Sequence, residues 1–447
     1  MKTPSLITVG ALLGLATCSL TLADNPLVPN VGMADPHIHI YNNRAYLYAT
    51  RDADRSAKSF VMPDWNIWSS ADLVHWQHER TILPEETYMG KSTRCWAPDA
   101  ATLNGNYYFY FSNGNTDAGV MVASDPAGPY RDALGKPLLP AGLVPTQEYD
   151  ISVLVDNGVP YIAFGHYIAG NQGRKPSNYH LAKLKPNMIS LAEMPKPIEI
   201  IGSFAGNDKP DITKHNGHYY LSAGANYAIS DQLYGPYTSR RNQGDDTDKY
   251  GLNQRAHGKL FDWNHQSFFV WCRFIKYPIR YRESLMTYVH YRANGDLVYD
   301  RDFLDNHYAT GVGQYDAVWD KIEAEWYMAS EGNQKTESPH GGFEVSATKD
   351  GSWVAYPNVQ DVPANSGMAF NCASANGGII EVREASAGGP LLGTCVIPAT
   401  GGWNDYQTIG CQLQNRAGTK KVVLVFKGNA PDTVHLDWFR FTSSAKK

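Results

Sequence analysis

The stretch that decides the fold is His37-IHIYNNRAYLYA-Thr50. Two aromatic-rich apolar runs flank an Asn-Asn pair, which is the pattern of a β-hairpin with a tight turn. The same pattern recurs at regular intervals along the chain, at 100–112, 151–165, 212–224 and 258–273. Five hairpins at such spacing indicate a repeat architecture, because each unit buries its apolar face only against its neighbours.

The segments between the hairpins lack an amphipathic helical period, and three of them, 68–76, 122–130 and 229–237, have the composition of outer strands. Five β units of this size favour a five-bladed β-propeller over a sandwich. We therefore predict an all-β fold whose first domain, residues 24–316, is this propeller.

One position in each repeat indicates a site. Counting back seven or eight residues from each turn asparagine reaches Asp35, Trp96, Asp150, Asp208 and His257. A radial repeat places equivalent positions of every blade around one axis, so we expect these side chains to converge at the mouth of the central channel. An aspartate at a strand start is often only a turn former, but three in register favour a site.

Three converging carboxylates fit either metal binding or acid and base chemistry on a glycosidic bond. In an inverting glycosidase one carboxylate activates water and a protonated one donates to the leaving oxygen, with a gap of ~6.5–9.5 Å between them. A third carboxylate raises the pKa of the acid. Trp96 would then form an apolar wall for a sugar face, although a core indole explains it equally well.

Composition and the N-terminus limit the compartment and the partners. Lys and Arg number 39 against 44 Asp and Glu, a net charge of -5, so a nucleic-acid partner is not expected. Residues 1–23 read as a secretory signal peptide, with Lys2, an apolar run over 6–16 and a cleavage site after Ala23. No other apolar run approaches the ~20 residues of a membrane span. We expect a secreted or periplasmic monomer; lipid anchoring through Cys18 is the less favoured alternative.

The register residues resemble those of glycoside hydrolase family 43, whose folds are five-bladed propellers. The resembling segments are Ala34-Asp35-Pro36, Trp96-Ala97-Pro98-Asp99, Tyr149-Asp150-Ile151-Ser152-Val153 and Ala256-His257-Gly258. The resemblance implies that Asp35 is the catalytic base and that Asp150 modulates the pKa of the acid. It also implies that His257 is the axial histidine found near a central calcium or water.

Further residues are predicted to bind substrate. Arg282 falls where the family carries an arginine close to the substrate, and His37 and Trp96 are also predicted to bind substrate. The departure from the family is at the acid, where Asp208 replaces the usual glutamate. An aspartate is one methylene shorter, so Asp211 and Glu148 are alternative proton donors, and a non-catalytic glycan-binding propeller is the alternative of a different class.

Residues 317–447 have short alternating strands and Gly/Ser-rich turns, which predict a β-sandwich. This region resembles a family 6 carbohydrate-binding module, a jelly roll that often holds structural calcium. The matching oxygen donors are Glu323, Glu325 and Asp437. Trp403 matches one of the two aromatic residues that sandwich a sugar ring, whereas Ala347 stands at the other position, with Phe343 as a substitute.

The resemblance implies a secreted, inverting glycoside hydrolase that removes terminal sugars from plant cell-wall polysaccharides and is tethered to them by the sandwich. Among the family's activities we favour α-L-arabinofuranosidase, with β-xylosidase as the nearest alternative. The segments 51–62 and 172–177 are expected to decide which sugar fits. Whether the enzyme acts within chains or at their ends is left open by the sequence.

Overall fold

The structure is a computed structural model, and it describes residues 21–22, 25–166, 178–204, 208–240, 248–253, 255–418, 421–428 and 432–442. The predicted signal peptide therefore lies almost wholly outside the described residues, as does the segment 172–177. The described chain is built mainly from β-strands and forms five small sheets followed by a two-sheet sandwich.

The five small sheets follow one another along the chain and are the blades of a propeller. Blade 1, ordered β1-β5-β4-β3-β2, contains β1 Thr21–Leu22, β2 Met33–Tyr41, β3 Arg44–Arg51, β4 Trp65–Ser70 and β5 His75–Ile82. Blade 2, ordered β6-β7-β8-β9, contains β6 Cys95–Leu103, β7 Asn106–Asn113, β8 Asp117–Ala123 and β9 Arg131–Asp132. Blade 3, ordered β10-β11-β12-β13, contains β10 Ser152–Asp156, β11 Val159–Phe164, β12 His180–Lys183 and β13 Lys196–Pro197.

The last two blades complete the ring. Blade 4, ordered β14-β18-β17-β16-β15, contains β14 Ile200–Ile201, β15 Pro210–His215, β16 His218–Ala223, β17 Asn226–Ser230 and β18 Tyr237–Ser239. Blade 5, ordered β19-β20-β21-β22, contains β19 Gly258–Trp263, β20 Gln266–Phe274, β21 Arg282–Tyr291 and β22 Leu297–Tyr299. The five-bladed architecture predicted from the repeat is confirmed.

The turn asparagines explain why each repeat begins with a tight hairpin. Asn104 and Gly105 have φ values of 54° and 76°, and the central residues of the other four inner hairpins are also left-handed. Positive φ at both central residues defines a type I′ turn, whose twist matches that of the flanking strands. Asparagine tolerates this conformation better than most residues, so the five Asn positions fix the five hairpin registers.

The first strands of the hairpins, β2, β6, β10, β15 and β19, form the inner wall of the ring. Each contacts the next one along the chain, and β19 contacts β2 to close the circle. The N-terminal segment supports this closure, because the Asn25 side chain donates to the Met286 carbonyl oxygen at 3.0 Å and accepts from the Met286 amide at 2.8 Å. Blade 5 is thereby fastened beside blade 1.

The segments 68–76, 122–130 and 229–237 are not outer strands, and that prediction was wrong. Each contains the end of a third strand and the turn that leads to the fourth strand, and 68–76 and 229–237 also contain the first residues of that fourth strand. Aspartates make these turns: Asp72 accepts the amides of Val74 and His75, and Asp125 accepts the amide of Ala127. Short polar side chains that bond the following backbone favour such turns over strands.

The C-terminal sandwich has two packed sheets. One contains β26 Asn333–Glu337, β27 Phe343–Ala347, β35 His435–Thr442, β30 Gly367–Ala373 and β33 Gln407–Gln412, with β24 Ile322–Glu323 paired to β35. The other contains β25 Ala329–Glu331, β28 Trp353–Tyr356, β34 Val422–Lys427, β31 Gly378–Glu384 and β32 Leu391–Ile397. The predicted β-sandwich is confirmed.

A short connection joins the two parts. It contains α1 Arg301–His307 and β23 Tyr315–Asp316, which pairs in parallel with β29 Val359–Gln360. The predicted boundary at 316/317 falls in this connection. Two 3-10 turns, Pro84–Glu86 and Ala324–Trp326, complete the elements. Within the described residues, no helix has the length and apolar character needed to cross a membrane.

Blade 5 packs directly against the sandwich. The Gln266 side chain donates to the carbonyl oxygens of Glu325 and Tyr327, both at 2.7 Å, and the Lys335 ammonium donates back to Gln266 at 2.7 Å. Trp326 is 2% exposed, and its indole N–H donates to Asp300 at 2.5 Å. One apolar core continues across this junction, so the two parts are expected to unfold together.

Trp326→Ala is expected to destabilise the whole chain by about 3–5 kcal/mol, because it opens a cavity at the junction and removes one of the hydrogen-bond donors to the buried Asp300. Urea unfolding followed by tryptophan fluorescence measures this, with Val318→Ala as the control, since Val318 is 72% exposed. If unfolding shows two transitions and the variant lowers the urea midpoint of only one of them, the two parts do not share a core.

Candidate active site

One cavity of about 340 Å³ lies where the inner strands begin. All five register residues line it, so the convergence expected from the sequence is what the structure shows. The remaining lining residues come from blades 1, 2, 3 and 5 and the loops around them: Phe60, Met62, Ala97, Tyr149, His166, Arg255, Phe274, Tyr277, Arg280 and Arg282. Carboxylates, imidazoles, guanidiniums and aromatic rings thus meet in one pocket.

The backbone is strained at two of the carboxylates. Asp35 has a φ of 50° and Asp150 a φ of 58°, a region that residues other than glycine rarely occupy. The pairing of β2 with β3 shifts between Ala34 and His37, which is a bulge around Asp35. Neighbouring blades hold both residues, since the Asp35 amide donates to the Cys272 sulfur at 3.3 Å and the Asp150 amide to the Ser112 hydroxyl at 3.0 Å. Strain held in this way is typical of functional sites.

His257 lies between two of the carboxylates. Its Nδ1 is 2.7 Å from Oδ1 of Asp35, and its Nε2 is 2.8 Å from Oδ1 of Asp208. Burial disfavours the charged ring, yet Asp208 and Asp35 together raise the pKa of His257 well above its ordinary value. The side chain is therefore an imidazolium that bridges blade 1 and blade 4.

Arg282 provides the second cation of the site. It donates from Nη1 to Asp35 at 2.6 Å and pairs bidentately with Asp52 at 2.9 and 3.0 Å. Burial alone would raise the pKa of Asp35, but Arg282 and then His257 hold that pKa well below its ordinary value. Asp35 is an ionised carboxylate, and Asp52 fixes the orientation of the guanidinium that faces it.

Asp208 and Asp150 differ in exposure and in charge. The Asp208 side chain is 23% exposed, and it also lies 3.4 Å from Nδ1 of His166. Burial would raise the pKa of Asp208, but His257 and His166 lower it. Asp150 is 3% exposed, and burial, with the nearby Asp208 and Asp35 charges, raises its pKa to about 7. In the free site the carboxyl that keeps its proton near neutrality is Asp150.

Aromatic rings form the walls above these charges. Trp96 meets Tyr149 edge to face at 5.8 Å and Phe60 at 6.2 Å, and Tyr149 stacks on His166 at 6.0 Å. Trp96 lies in the cavity wall and is not a core indole. Flat apolar faces beside hydrogen-bonding groups suit the two sides of a sugar ring.

Several residues expected near the site do not line the cavity. His37 is fully buried below it, 3.1 Å from the Lys209 ammonium, so it is placed to support the site and not to touch substrate. Asp211 bonds Ser152 at 2.8 Å and Lys259 at 3.0 Å in the same buried layer. Glu148 accepts the Val144 amide at 2.8 Å. Neither alternative proton donor has access to the cavity.

A calcium ion at His257 does not fit the charges present. Ligand atoms of Asp150, Asp208 and His257 lie within 4.8 Å of one another, but both ring nitrogens of His257 already face carboxylates, at 2.7 and 2.8 Å. Below it, the Lys209 and Lys259 ammonium groups lie beside His37, Asp99 and Asp211, which supplies positive charge to this part of the axis. Ammonium groups there make a divalent cation electrostatically unfavourable.

In the sandwich the three predicted calcium ligands do not form one cluster among the described residues. Ligand atoms of Glu325 lie within 4.8 Å of His290 and Asp300, and among the described residues no such group contains Glu325 with Glu323 and Asp437. Burial raises the pKa of Glu323 to about 7 and also raises that of Asp437. Glu323 contacts the Lys321 ammonium. Glu323 and Asp437 have the chemistry to hold a hard cation, whereas Glu325 points to the domain junction.

Trp403 is half-buried and stacks on His435 with ring centres 4.7 Å apart. The substitute second aromatic, Phe343, is 5% exposed and stacks on His290 at the junction, so it does not complete a sugar sandwich with Trp403. The other aromatic group of this region is Tyr406, which meets His340 edge to face at 4.9 Å.

Three residues at or just after the end of a hairpin's second strand were not predicted from the sequence. They are Asp52, His166 and Phe274, in blades 1, 3 and 5. In an antiparallel hairpin the end of the second strand lies beside the start of the first, so His166 and Phe274 line the same cavity and Asp52 holds the Arg282 that lines it. The hairpin registers would have been sufficient to predict them.

Comparison with known proteins agrees with this geometry. The model of Glycosyl hydrolases family 43 matches residues 23–297, and that of Carbohydrate binding module (family 6) matches residues 323–443. The chain is similar to an arabinoxylan arabinofuranohydrolase of Paenibacillus polymyxa, 26% identical over 94% of this chain and 74% of the relative. It is also similar to an arabinoxylan arabinofuranohydrolase of Bacillus subtilis, 27% identical over 96% of this chain and 95% of the relative.

A solved structure shares the fold along nearly the whole chain. It is the Bacillus subtilis family 43 arabinoxylan arabinofuranohydrolase in complex with cellotetraose, with a TM-score of 0.55 and 24% identity, covering 95% of this chain and 99% of that one. The propeller, the sandwich and their order are thus shared. The chain belongs to glycoside hydrolase family 43 and carries a C-terminal carbohydrate-binding module of family 6.

Proposed function

We propose that the protein is a secreted, inverting glycoside hydrolase that removes terminal α-L-arabinofuranose from plant cell-wall polysaccharides. The observation that carries the proposal is the pair Asp35 and Asp208 on opposite sides of one imidazole in an aromatic-walled cavity. The names of two relatives that align along nearly the whole chain support the choice of arabinose. β-Xylosidase is the nearest alternative.

Asp35 has the properties of a catalytic base. A base must be ionised before it takes a proton from water, and Arg282 and His257 keep Asp35 ionised far into the acid range. Asp52 holds Arg282 in place with two parallel hydrogen bonds. Arg282 in turn donates to Asp35, which keeps the Asp35 carboxylate directed at the cavity. A water molecule between Asp35 and the sugar would then be activated for attack.

The spacing supports inversion. Oδ1 of Asp35 lies 2.7 Å from Nδ1 of His257, and Oδ1 of Asp208 lies 2.8 Å from Nε2 of the same ring. A full imidazole therefore separates them. Inverting enzymes keep their two carboxyl groups ~6.5–9.5 Å apart and retaining enzymes keep them ~5–5.5 Å apart, and the contact of the two carboxylates with different nitrogens of one ring is the reason that we propose inversion.

We assign the acid role to Asp208 because reach comes before pKa in general acid catalysis. Asp208 is the more exposed of the two remaining carboxyls and contacts two ring nitrogens that can carry protons. His257 can deliver a proton through its Nε2 contact as the leaving oxygen approaches. The shorter aspartate side chain is then compensated by an adjacent proton source.

Asp150 modulates this proton. Its amide is fixed by Ser112, and its carboxyl lies within 4.8 Å of the ligand atoms of Asp208 and His257. Since the pKa of Asp150 is raised to about 7, its carboxyl is largely protonated below that pH. This limits how many of the three cavity carboxyls are ionised at the same time. Calcium at Glu323 and Asp437, and export through residues 1–23, stay predictions of the sequence.

Purified protein is expected to release arabinose from arabinoxylan oligosaccharides, and Asp35→Asn or Asp208→Asn is expected to lower kcat by about 10²–10⁴-fold, the usual contribution of a general base or acid. Sugar release from arabinoxylan, arabinan, xylan and galactan oligosaccharides measures this, with exposed Asp320→Asn as the matched control. Xylose as the main product would replace arabinofuranosidase by β-xylosidase.

Substrates with different leaving groups distinguish the acid role of Asp208 from the base role of Asp35 in the same two variants. With an aryl arabinofuranoside whose leaving phenol needs no proton, Asp208→Asn should recover most activity and Asp35→Asn should not. An equal defect of both variants on this substrate would remove the acid assignment of Asp208. Glycan binding without release by the wild type would establish the alternative class, a non-catalytic receptor.

The stability of Asp150→Asn is expected to depend on pH. A carboxyl whose folded pKa is raised from 3.8 to about 7 stabilises the fold fully below the lower value and loses that contribution as pH rises through about 7. The variant should therefore gain stability relative to wild type between pH 4 and pH 7, by up to about 1.4 kcal/mol per pH unit. Urea unfolding at several pH values measures the difference, and a pH-independent difference would contradict the raised pKa.

A further inference from the structure

A second cavity adjoins the candidate active site and is lined by basic side chains. It has a volume of about 450 Å³ and shares Arg255, Phe274 and Tyr277 with the first cavity. Arg273 lines the second cavity, and Arg280 and Arg282 line the first, so four guanidiniums border this continuous space, of which Arg282 is paired with Asp35 and Asp52. We refer to Arg255, Arg273 and Arg280 with their surrounding walls as the basic cleft.

The guanidiniums of the basic cleft have no carboxylate partner within 4.0 Å among the described residues. The other charged groups nearby are already matched: Asp248 pairs with Arg301, Lys249 lies 2.9 Å from Asp305, and Arg282 is held by Asp35 and Asp52. The whole chain carries a net charge of -5. The positive charge is therefore a local feature of this cleft and not a property of the general surface.

Aromatic rings hold the cleft open and give it flat faces. The Arg280 guanidinium lies 5.2, 5.3 and 5.5 Å from the ring centres of Phe60, Phe274 and Tyr277. Arg273 donates to the Lys249 carbonyl oxygen at 2.8 Å and lies 5.0 Å from the Tyr308 ring. Stacking fixes the planes of these guanidiniums while leaving N–H groups for a ligand. Tyr277 is 67% exposed and can stack on a sugar.

We infer that the basic cleft binds a carboxylated sugar, a uronic acid residue of the polysaccharide close to the sugar that is cleaved. This inference rests on the proposed glycosidase function, because it makes the cleft a subsite of the same substrate. Planar guanidiniums recognise carboxylates bidentately, and such charge-assisted bonds are stronger than those to neutral hydroxyls. The aromatic faces accept the ring that carries the carboxylate.

The test compares an arabinose-decorated oligosaccharide that carries a glucuronic acid with the same molecule after reduction of the carboxyl to an alcohol. Wild type is expected to show a kcat/KM about tenfold or more higher for the acid form at low salt, and added salt should shrink that ratio. The double variant Arg255→Gln/Arg280→Gln should bring the ratio close to one. Arg131→Gln, an exposed change of the same charge on blade 2, should keep the wild-type ratio.

Equal kcat/KM values for the two forms in wild type, or an unchanged ratio in the double variant, would overturn the inference. Binding of the same pair to Asp35→Asn protein is measured by calorimetry, and the acid form is expected to bind about tenfold more tightly. If no sugar is released from any substrate, the proposed function fails, yet the calorimetric ratio still decides whether the cleft prefers a carboxylate.

Discussion

The ion pairs of His257 with Asp35 and Asp208 are the interactions on which the site depends. Three carboxyl groups from three blades share one cavity, and their mutual repulsion would oppose the convergence of the inner strands. The imidazolium contacts two of these carboxylates, and Arg282 adds a second positive charge beside Asp35. Removing one partner of a buried ion pair leaves an uncompensated charge, which is strongly destabilising.

A buried layer beneath the cavity holds this arrangement. Asp208 faces the cavity, while the next side chain, Lys209, runs to the axis and contacts His37 and the Ile151 carbonyl oxygen. Lys259 pairs with Asp211 in the same layer. These contacts join blades 1, 3, 4 and 5 below the cavity, so the positions of the cavity carboxyls are set by polar groups that do not line it.

Much of the fold and part of the site could be predicted from the sequence, because both depend on the same register. The turn asparagines impose left-handed turns, which fix the hairpins and so the alignment of Asp35, Asp150, Asp208 and His257. Phe60 and Arg280 line the cavity from loops, so the hairpin registers do not predict their positions. Their approach to the cavity is decided by tertiary packing.

The predictions that failed were made from a residue's position in the sequence, without knowledge of which side chains it contacts. His37 shares the inner strand of Asp35, but its side chain points to the axis and is buried. Glu325 is two residues from Glu323, but a 3-10 turn directs it toward blade 5. The opposite pKa shifts of Asp150 and Asp208 also needed the structure, since burial raises the pKa of Asp150 whereas His257 and His166 beside Asp208 lower that of Asp208.

The measurement that tests this account most directly is the protonation state of His257, by nitrogen NMR of protein labelled in its 14 histidines. The His257 signals are identified by their loss in His257→Gln. Both ring nitrogens are expected to carry protons at neutral pH and to remain protonated well above the ordinary histidine pKa. A ring with one bare nitrogen at neutral pH would contradict the bridge between Asp35 and Asp208.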